Sequence, residues 1–181
     1  MSVLNRALFA TVALGLSTTA SAGVLIGHPV PFKIADANGI TFTSLQLPVS
    51  DQVVEYCVGS PLLYAVDDVL GIDDLLGLPA GEICGIDLYL SAPVVITGVG
   101  NAGGTFTLTL DMLAIHVSVD PSLVVSTSHT SAADAVTLAD LDWISASSLG
   151  LATGVHRNIA LGDSGYYALR DAVRRDSSIA Q

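Results

Sequence analysis

Beyond residue 22 the chain alternates between hydrophobic and polar residues, with a period of two over most of its length. This alternation is typical of half-buried β-strands, whose successive side chains point to opposite faces of a sheet. Gly, Pro, Asn and Ser separate the alternating runs, as expected at turns. The predicted strands are residues 31–35, 40–47, 52–58, 83–90, 94–99 and 123–127. Pro48 should end the second of them.

The clearest strand signal lies at residues 105–119. Hydrophobic residues occupy the even positions from Phe106 to Met112 and then the odd positions from Leu113 to Val119. A slip of one residue turns every side chain of a strand to the opposite face of the sheet. The change of parity therefore predicts a bulge or a sharp bend near Met112 and Leu113.

Residues 67–78 have the spacing of a helix instead. They form a tandem hexapeptide, Asp-Asp-Val-Leu-Gly-Ile followed by Asp-Asp-Leu-Leu-Gly-Leu. The hydrophobic residues of both copies could share one helical stripe, with Asp67 or Asp68 as the N-cap. Pro79 would end this short helix.

A second helix is predicted at residues 165–176. Its hydrophobic residues fall on one face, and Asp163 or Ser164 could cap its N-terminus. Asp171 and Arg175 have the i,i+4 spacing of an ion pair. Many short strands and little helix predict a mainly β, single-domain antiparallel β-sandwich over residues 23–181, with one short helix in its middle and one at its C-terminus.

Residues 1–22 have the features of a signal peptide. Arg6 precedes a short hydrophobic run, and the segment ends in Ala20-Ser21-Ala22, which suits signal peptidase. No second hydrophobic stretch qualifies as a membrane-spanning helix, because the longest charge-free run contains Pro93 and several glycines. We therefore expect an exported protein that is periplasmic, extracellular or on the cell surface, with no transmembrane helix in the mature chain.

The two cysteines, Cys57 and Cys84, should form a disulfide in such an oxidising compartment. Since residues 67–78 lie between them, the first predicted helix would be inside the disulfide loop. Closing a loop of this length stabilises a fold by roughly 3–4 kcal/mol in the chain-entropy model.

The charge is strongly negative and unevenly distributed. Six Lys and Arg stand against 17 Asp and Glu, a formal net charge of −11. Such a surface repels phosphate backbones, which excludes a nucleic-acid partner. Most of the cations are near the C-terminus, and Arg170, Arg174 and Arg175 are the candidate residues for binding a protein partner or a second copy.

Carboxylates supply the candidates for metal binding and for catalysis. Asp67, Asp68, Asp73 and Asp74 place four hard oxygen ligands within eight residues, and a solvated acidic face is the competing interpretation. We expect no cofactor, with Ca²⁺ as the one candidate ligand. Glu55, Glu82 and Asp87 flank the cysteines and could work with a histidine in a hydrolase. Exposure to solvent is the expectation for His116.

Two short motifs resemble known active-site sequences. Gly98-Val99-Gly100-Asn101-Ala102-Gly103 resembles the dinucleotide-binding fingerprint, and Gly162-Asp163-Ser164-Gly165 resembles the nucleophile motif of trypsin-like serine proteases. The residues after Gly103 alternate with period two, so we expect a glycine-rich hairpin there. A helix cap is the expectation for Asp163 and Ser164.

The predicted function is that of an exported, non-catalytic β-sandwich module that binds a partner or assembles with itself. High hydrophobic content and low charge motivate this prediction. The alternatives are a small secreted hydrolase that uses Asp or Glu with His, and a calcium-binding extracellular module.

Overall fold

A computed structural model of the protein describes residues 28–34, 38–119, 124–125, 135–138 and 144–180. These residues form a mainly β structure with a single α-helix near the C-terminus. The elements are β1 (His28–Lys33), β2 (Ile40–Tyr56), β3 (Leu62–Leu70), β4 (Leu75–Leu78), β5 (Gly81–Leu90), β6 (Val94–Gly100), β7 (Thr105–Leu110), β8 (Ala114–Val119), β9 (Val124–Val125), β10 (Ala135–Thr137), β11 (His156–Ile159), α1 (Tyr166–Arg175) and β12 (Ser177–Ala180).

Ten strands follow one another in a single sheet that does not close, in the order β11-β7-β6-β2-β5-β8-β12-β10-β1-β4. Beside this path, β3 pairs with β2 and β9 with β5. The mainly β class is confirmed, but the sheet is mixed: β1 with β10, β8 with β12 and β7 with β11 are parallel pairs. The described strands do not show the two facing antiparallel sheets of the predicted sandwich.

Three irregularities lie next to each other in the sheet and together form a bend. The pairing of β2 is irregular between Val49 and Asp51, residues 91–93 separate β5 from β6, and residues 111–113 separate β7 from β8. The Leu90 N–H donates to the Leu113 carbonyl oxygen at 2.9 Å, which joins two of these breaks. The predicted bend near Met112 is confirmed. Leu113 is 82% exposed, however, so the inward-facing residues of the second half begin at Ile115.

The prediction that Pro48 ends a strand is wrong, because Pro48 lies inside β2, which is 17 residues long. The partner of β2 changes at this point: Gln46 is the last residue paired with β6, and Val49 is the first paired with β5. Proline has no N–H to donate, so a gap in the ladder on this side tolerates it. The Pro48 carbonyl oxygen accepts a hydrogen bond from the Ser91 N–H at 3.0 Å.

The hairpin of β6 and β7 is packed on one face along its whole length. Every second residue of both strands is buried, and Phe106 lies against Gly98 on the facing strand. A Cβ at Gly98 would be 2.5 Å from the Phe106 ring, so only glycine leaves room for it. In the turn, the Gly100 N–H donates to the Gly104 carbonyl oxygen at 2.7 Å, and the Gly103 N–H donates to the Gly100 carbonyl oxygen at 2.8 Å. The prediction of a glycine-rich hairpin after residue 99 is confirmed.

The predicted helix at residues 67–78 is wrong. The first hexapeptide ends β3, the second forms β4, and a short turn at 71–74 joins them. Asp67 and Asp73 have positive φ angles of 47° and 66°, which a helix does not contain. Aspartate tolerates this left-handed conformation better than most residues.

The predicted C-terminal helix is confirmed as α1. Tyr166, Leu169, Ala172 and Val173 form its buried face. The predicted cap is wrong, because Gly165 is the N-cap in a left-handed conformation and no side chain caps the helix. The Asp163 carboxylate instead accepts a hydrogen bond from the Ala160 N–H at 2.8 Å. Asp163 therefore closes the preceding turn.

The signal peptide predicted at residues 1–22 lies outside the described residues. The strand predicted at 31–35 corresponds to β1, which ends at Lys33. The strand predicted at 123–127 corresponds to β9, and its other residues are also outside the described part.

Candidate functional site

The first candidate surface is the open edge of β3. Within the described residues, β3 pairs with β2 on one side and with no strand on the other. A nine-residue strand therefore leaves a row of backbone N–H and C=O groups without a sheet partner. Leu63 is 68% exposed and Val69 is 57% exposed along this strand. An exposed edge with hydrophobic side chains can pair with another chain.

The hexapeptide repeat gives this edge a repeated surface. In each copy the two aspartates and the next aliphatic residue are exposed, and the following leucine is buried. The exposed aliphatic residues, Val69 and Leu75, are 57% and 55% exposed. The first aspartate has a positive φ angle in both copies, although Asp67 lies within β3 and Asp73 in the turn before β4. We call residues 67–69 the first acidic ledge and residues 73–75 the second acidic ledge.

The ledge aspartates hold the local backbone. The Asp68 carboxylate accepts a hydrogen bond from the Val69 N–H at 2.8 Å, and the Asp74 carboxylate accepts one from the Gly71 N–H at 2.7 Å. Among the described residues, no group of three or more His, Cys, Asp or Glu could hold a metal ion. Calcium binding by Asp67, Asp68, Asp73 and Asp74 stays a prediction.

A disulfide between Cys57 and Cys84 ties the base of this region, as predicted. The two Cα atoms are 5.0 Å apart, and β3, β4 and both acidic ledges lie in the loop that the bond closes. The Cys57 N–H also donates to the Glu82 carbonyl oxygen at 3.0 Å. The two ends of the loop that contains the edge strand are therefore held together, one directly after β2 and the other in β5.

The second candidate surface is the arginine side of α1. The predicted pair of Asp171 with Arg175 is wrong: Asp171 pairs with Arg170, whose Nη2 is 2.8 Å from its Oδ1. The hydrogen bond from Arg170 lowers the pKa of Asp171, and Arg175 and Arg174 lower it further at longer range. Arg170 also lies over the Tyr167 ring, 5.2 Å from its centre.

A groove separates α1 from the bend of the sheet, and we call it the helix groove. It has a volume of about 410 Å³. Arginines of the helix and residues of the bend line it: Asp111, Met112, Leu113, Ala114, Arg170 and Arg174. The Tyr166 hydroxyl accepts a hydrogen bond from the Asp111 N–H at 2.9 Å and fixes the helix to the bend. The groove is therefore lined by charged and hydrophobic side chains, and its two walls are joined by this hydrogen bond.

The third candidate is a polar cluster on the solvent side of β2, β5 and β8. Asp87 and His116 are opposite each other on neighbouring strands, and His116 Nδ1 lies 2.7 Å from Asp87 Oδ1. Glu55 approaches from the third strand. A Cβ at Gly85 would be 3.1 Å from Glu55 Oε2 and 3.2 Å from His116 Cε1, so the missing side chain leaves space between them. A carboxylate that orients a histidine is a common part of acid–base sites.

Sequence reasoning found part of this cluster. Glu55 and Asp87 were candidates, and both are in it. Glu82 is exposed beside β9 and is not among the groups around Gly85. The exposure predicted for His116 is confirmed, but its pairing with Asp87 was missed. The two residues are 29 positions apart, and only the strand register brings them together.

The two short motifs have structural explanations. Gly98–Gly103 belongs to the hairpin of β6 and β7, and no helix follows it to hold a pyrophosphate. Asp163 and Ser164 line a small cavity of about 150 Å³ together with Arg157. No histidine of the described chain is among the residues that line this cavity. A histidine base for Ser164 therefore has no support there.

Comparison with known proteins finds no matching family model, no matching curated sequence and no matching solved structure. In the part of the chain that the structure describes, no helix has the length and hydrophobicity needed to cross a membrane.

Proposed function

We propose that this protein is an exported, non-catalytic β module that assembles with itself or binds a protein partner through the edge of β3. The observation that carries this proposal is the edge of β3 that pairs with no strand of the described residues; β3 is nine residues long and bears exposed hydrophobic side chains. Natural proteins usually protect such an edge with lysine, proline or a covering loop. The aspartates of the first acidic ledge are charged, but nothing in the described part of the chain covers Leu63 on the first half of β3.

The pattern of burial supports the same proposal. Leu63 and Val69 contribute little to the core, because both side chains are more than half exposed. Hydrophobic residues that a fold does not bury are typical of contact surfaces when they line an edge that can accept a strand.

The experiment is a concentration series by size-exclusion chromatography with light scattering on the purified protein. We expect the mean mass to rise from low micromolar to several hundred micromolar protein. Leu63→Lys places a charge on the edge and should weaken association at least about tenfold. Leu161→Lys is the matched control, because Leu161 is equally exposed at 66% but lies in the turn before α1. A monomer at every concentration would contradict the self-assembly proposal.

The polar cluster supports a second candidate, a small hydrolase that uses the Asp87–His116 pair with Glu55. In this function Asp87 orients His116, and the histidine exchanges a proton with a substrate that occupies the space beside Gly85. A monomeric protein that hydrolyses ester or glycoside substrates, and loses this activity in His116→Ala, would favour the hydrolase. Unchanged turnover in His116→Ala would rule out this cluster as its site.

A further inference from the structure

The helix groove has one cationic group without a carboxylate partner. Within the described residues, Arg174 forms no ion pair, although the chain carries 17 acidic residues and Asp111 lines the same groove. Only Arg170 has a carboxylate partner there, its own neighbour Asp171. Leu113, on the opposite wall, is 82% exposed. Two arginines against one aspartate, Asp111, leave the lining with a net positive charge, so the groove offers this charge and an uncovered hydrophobic side chain to an acidic, partly hydrophobic segment.

The same chain exposes a segment of that chemistry. The first acidic ledge presents two aspartates followed by Val69, at the end of the open edge strand β3. Each copy of the protein thus carries both a cationic groove and an acidic ledge. Complementary charge on two separate surfaces of one chain favours contact between copies.

We propose that the helix groove of one copy receives the first acidic ledge of a second copy. Arg174 faces Asp67 and Asp68 of the neighbour, and Leu113 covers Val69. This proposal rests on the proposed function, because it specifies the partner and the residues of the self-assembly. A contact between two different surfaces is heterologous, so it builds rings or open chains of copies.

A symmetric pairing of two β3 edges is disfavoured by charge. It would bring the Asp67 and Asp68 carboxylates of both copies near one another along one ladder. Like charges this close repel each other. The heterologous contact instead sets these carboxylates against guanidinium groups, which form strong, directional hydrogen bonds with carboxylates.

Charge reversal with a complementary mixture tests the contact. Arg174→Glu and Asp68→Arg should each weaken association at least about tenfold, because each puts like charges together. An equimolar mixture should regain most of the wild-type association. In the mixture Glu at 174 meets Arg at 68, and every remaining contact is the original one. Sedimentation velocity on the wild type, each variant and the mixture measures this.

Two controls separate charge from folding. Asp68→Asn keeps an acceptor for the Val69 N–H and removes the charge, so its loss should be smaller than that of Asp68→Arg. Arg157→Glu reverses a cation that lies outside the helix groove and should associate as the wild type does. Association should also weaken from about 50 mM to about 0.5 M NaCl, because salt screens exposed charges.

Each outcome decides something. Association that survives both reversals overturns the groove contact and leaves the proposed function in place. Loss in both variants without recovery in the mixture also overturns it. A wild type that is monomeric at all concentrations overturns the self-assembly itself.

Discussion

The hairpin of β6 and β7 and the edge strand β3 use similar residues in opposite environments. Strand β7 is paired on both sides, by β6 and β11, and its Phe106, Leu108 and Leu110 are buried. Strand β3 is paired within the described residues by β2 alone, and its Leu63 and Val69 are largely exposed. Hydrophobic side chains stabilise the fold in the hairpin, whereas most of those on β3 remain in contact with water.

Within one sheet, the buried hairpin therefore contributes to stability, and the exposed edge strand is the part assigned to the proposed function. Burial of a hydrophobic side chain contributes to folding in proportion to the area removed from water. Leu63 removes little area, so the fold gains little from it. Its hydrophobic character has its effect when a second surface covers it, as in the proposed assembly.

The largest expected effect contrasts these two regions directly. Phe106→Ala should lower the free energy of unfolding by about 4 kcal/mol, because it leaves a cavity under Gly98 and removes the edge-to-face contact with Phe42. Leu63→Ala should change it by less than about 0.5 kcal/mol. Urea unfolding of both variants at a protein concentration below that of assembly measures the difference. Equal losses in the two variants would contradict the contrast.

The next effect concerns the disulfide, which closes the loop that contains only one of the two regions, the edge strand. Replacing Cys57 and Cys84 by alanine should cost about 3.5 kcal/mol, because it releases a loop of 27 residues in the unfolded chain. The edge strand lies inside this loop and the hairpin outside it. We therefore expect the amides of β3 to lose more protection from hydrogen exchange than those of β7.

The control for this prediction is the reduced wild-type protein, which should unfold at the same urea concentration as the double alanine variant. An unchanged unfolding midpoint in the alanine variant would show that the bond does not constrain the chain. Equal loss of exchange protection in β3 and β7 would show that the effect is global.

The hairpin and the bend could be predicted from sequence because their pattern is local. Strict alternation from Thr105 onward specifies a strand, and its change of parity at Met112 specifies a bend. The position of Leu113 could not be predicted in this way. Residues 111–113 form the bend and belong to neither strand. The Leu113 side chain is therefore exposed, and the new alternation begins at Ile115.

The edge strand could not be predicted because its pattern is ambiguous. Val69, Ile72, Leu75 and Leu76 satisfy helical spacing as well as two short strands, and two glycines interrupt both patterns. The decisive features are the left-handed backbones at Asp67 and Asp73, which periodicity does not reveal.

The charges of the candidate surfaces could be predicted from the sequence, but the residues that lie beside them in the fold could not. The cationic C-terminal helix and the acidic hexapeptides are evident from composition alone. The groove beside Arg174 requires knowing that the bend at residues 111–114 lies next to α1. The Asp87–His116 pair requires the register between β5 and β8. Long-range pairing of strands leaves no local trace in the sequence.

The smallest expected effect lies where β3 meets β2. The Tyr56 and Tyr64 hydroxyls are 3.3 Å apart, and burial together with this bond raises the pKa of Tyr56 from 10.0 to about 12. The folded state therefore retains a proton that the unfolded chain loses. Stability from this group is complete below pH 10 and is lost as the pH rises from 10 to about 12.

Tyr56→Phe should flatten this decline in urea unfolding between these pH values. Tyr89→Phe, on the exposed side of β5, is the matched control and should leave the slope as it is. A slope that is the same in Tyr56→Phe and wild type would mean that the hydroxyl bond does not hold the edge strand to the interior.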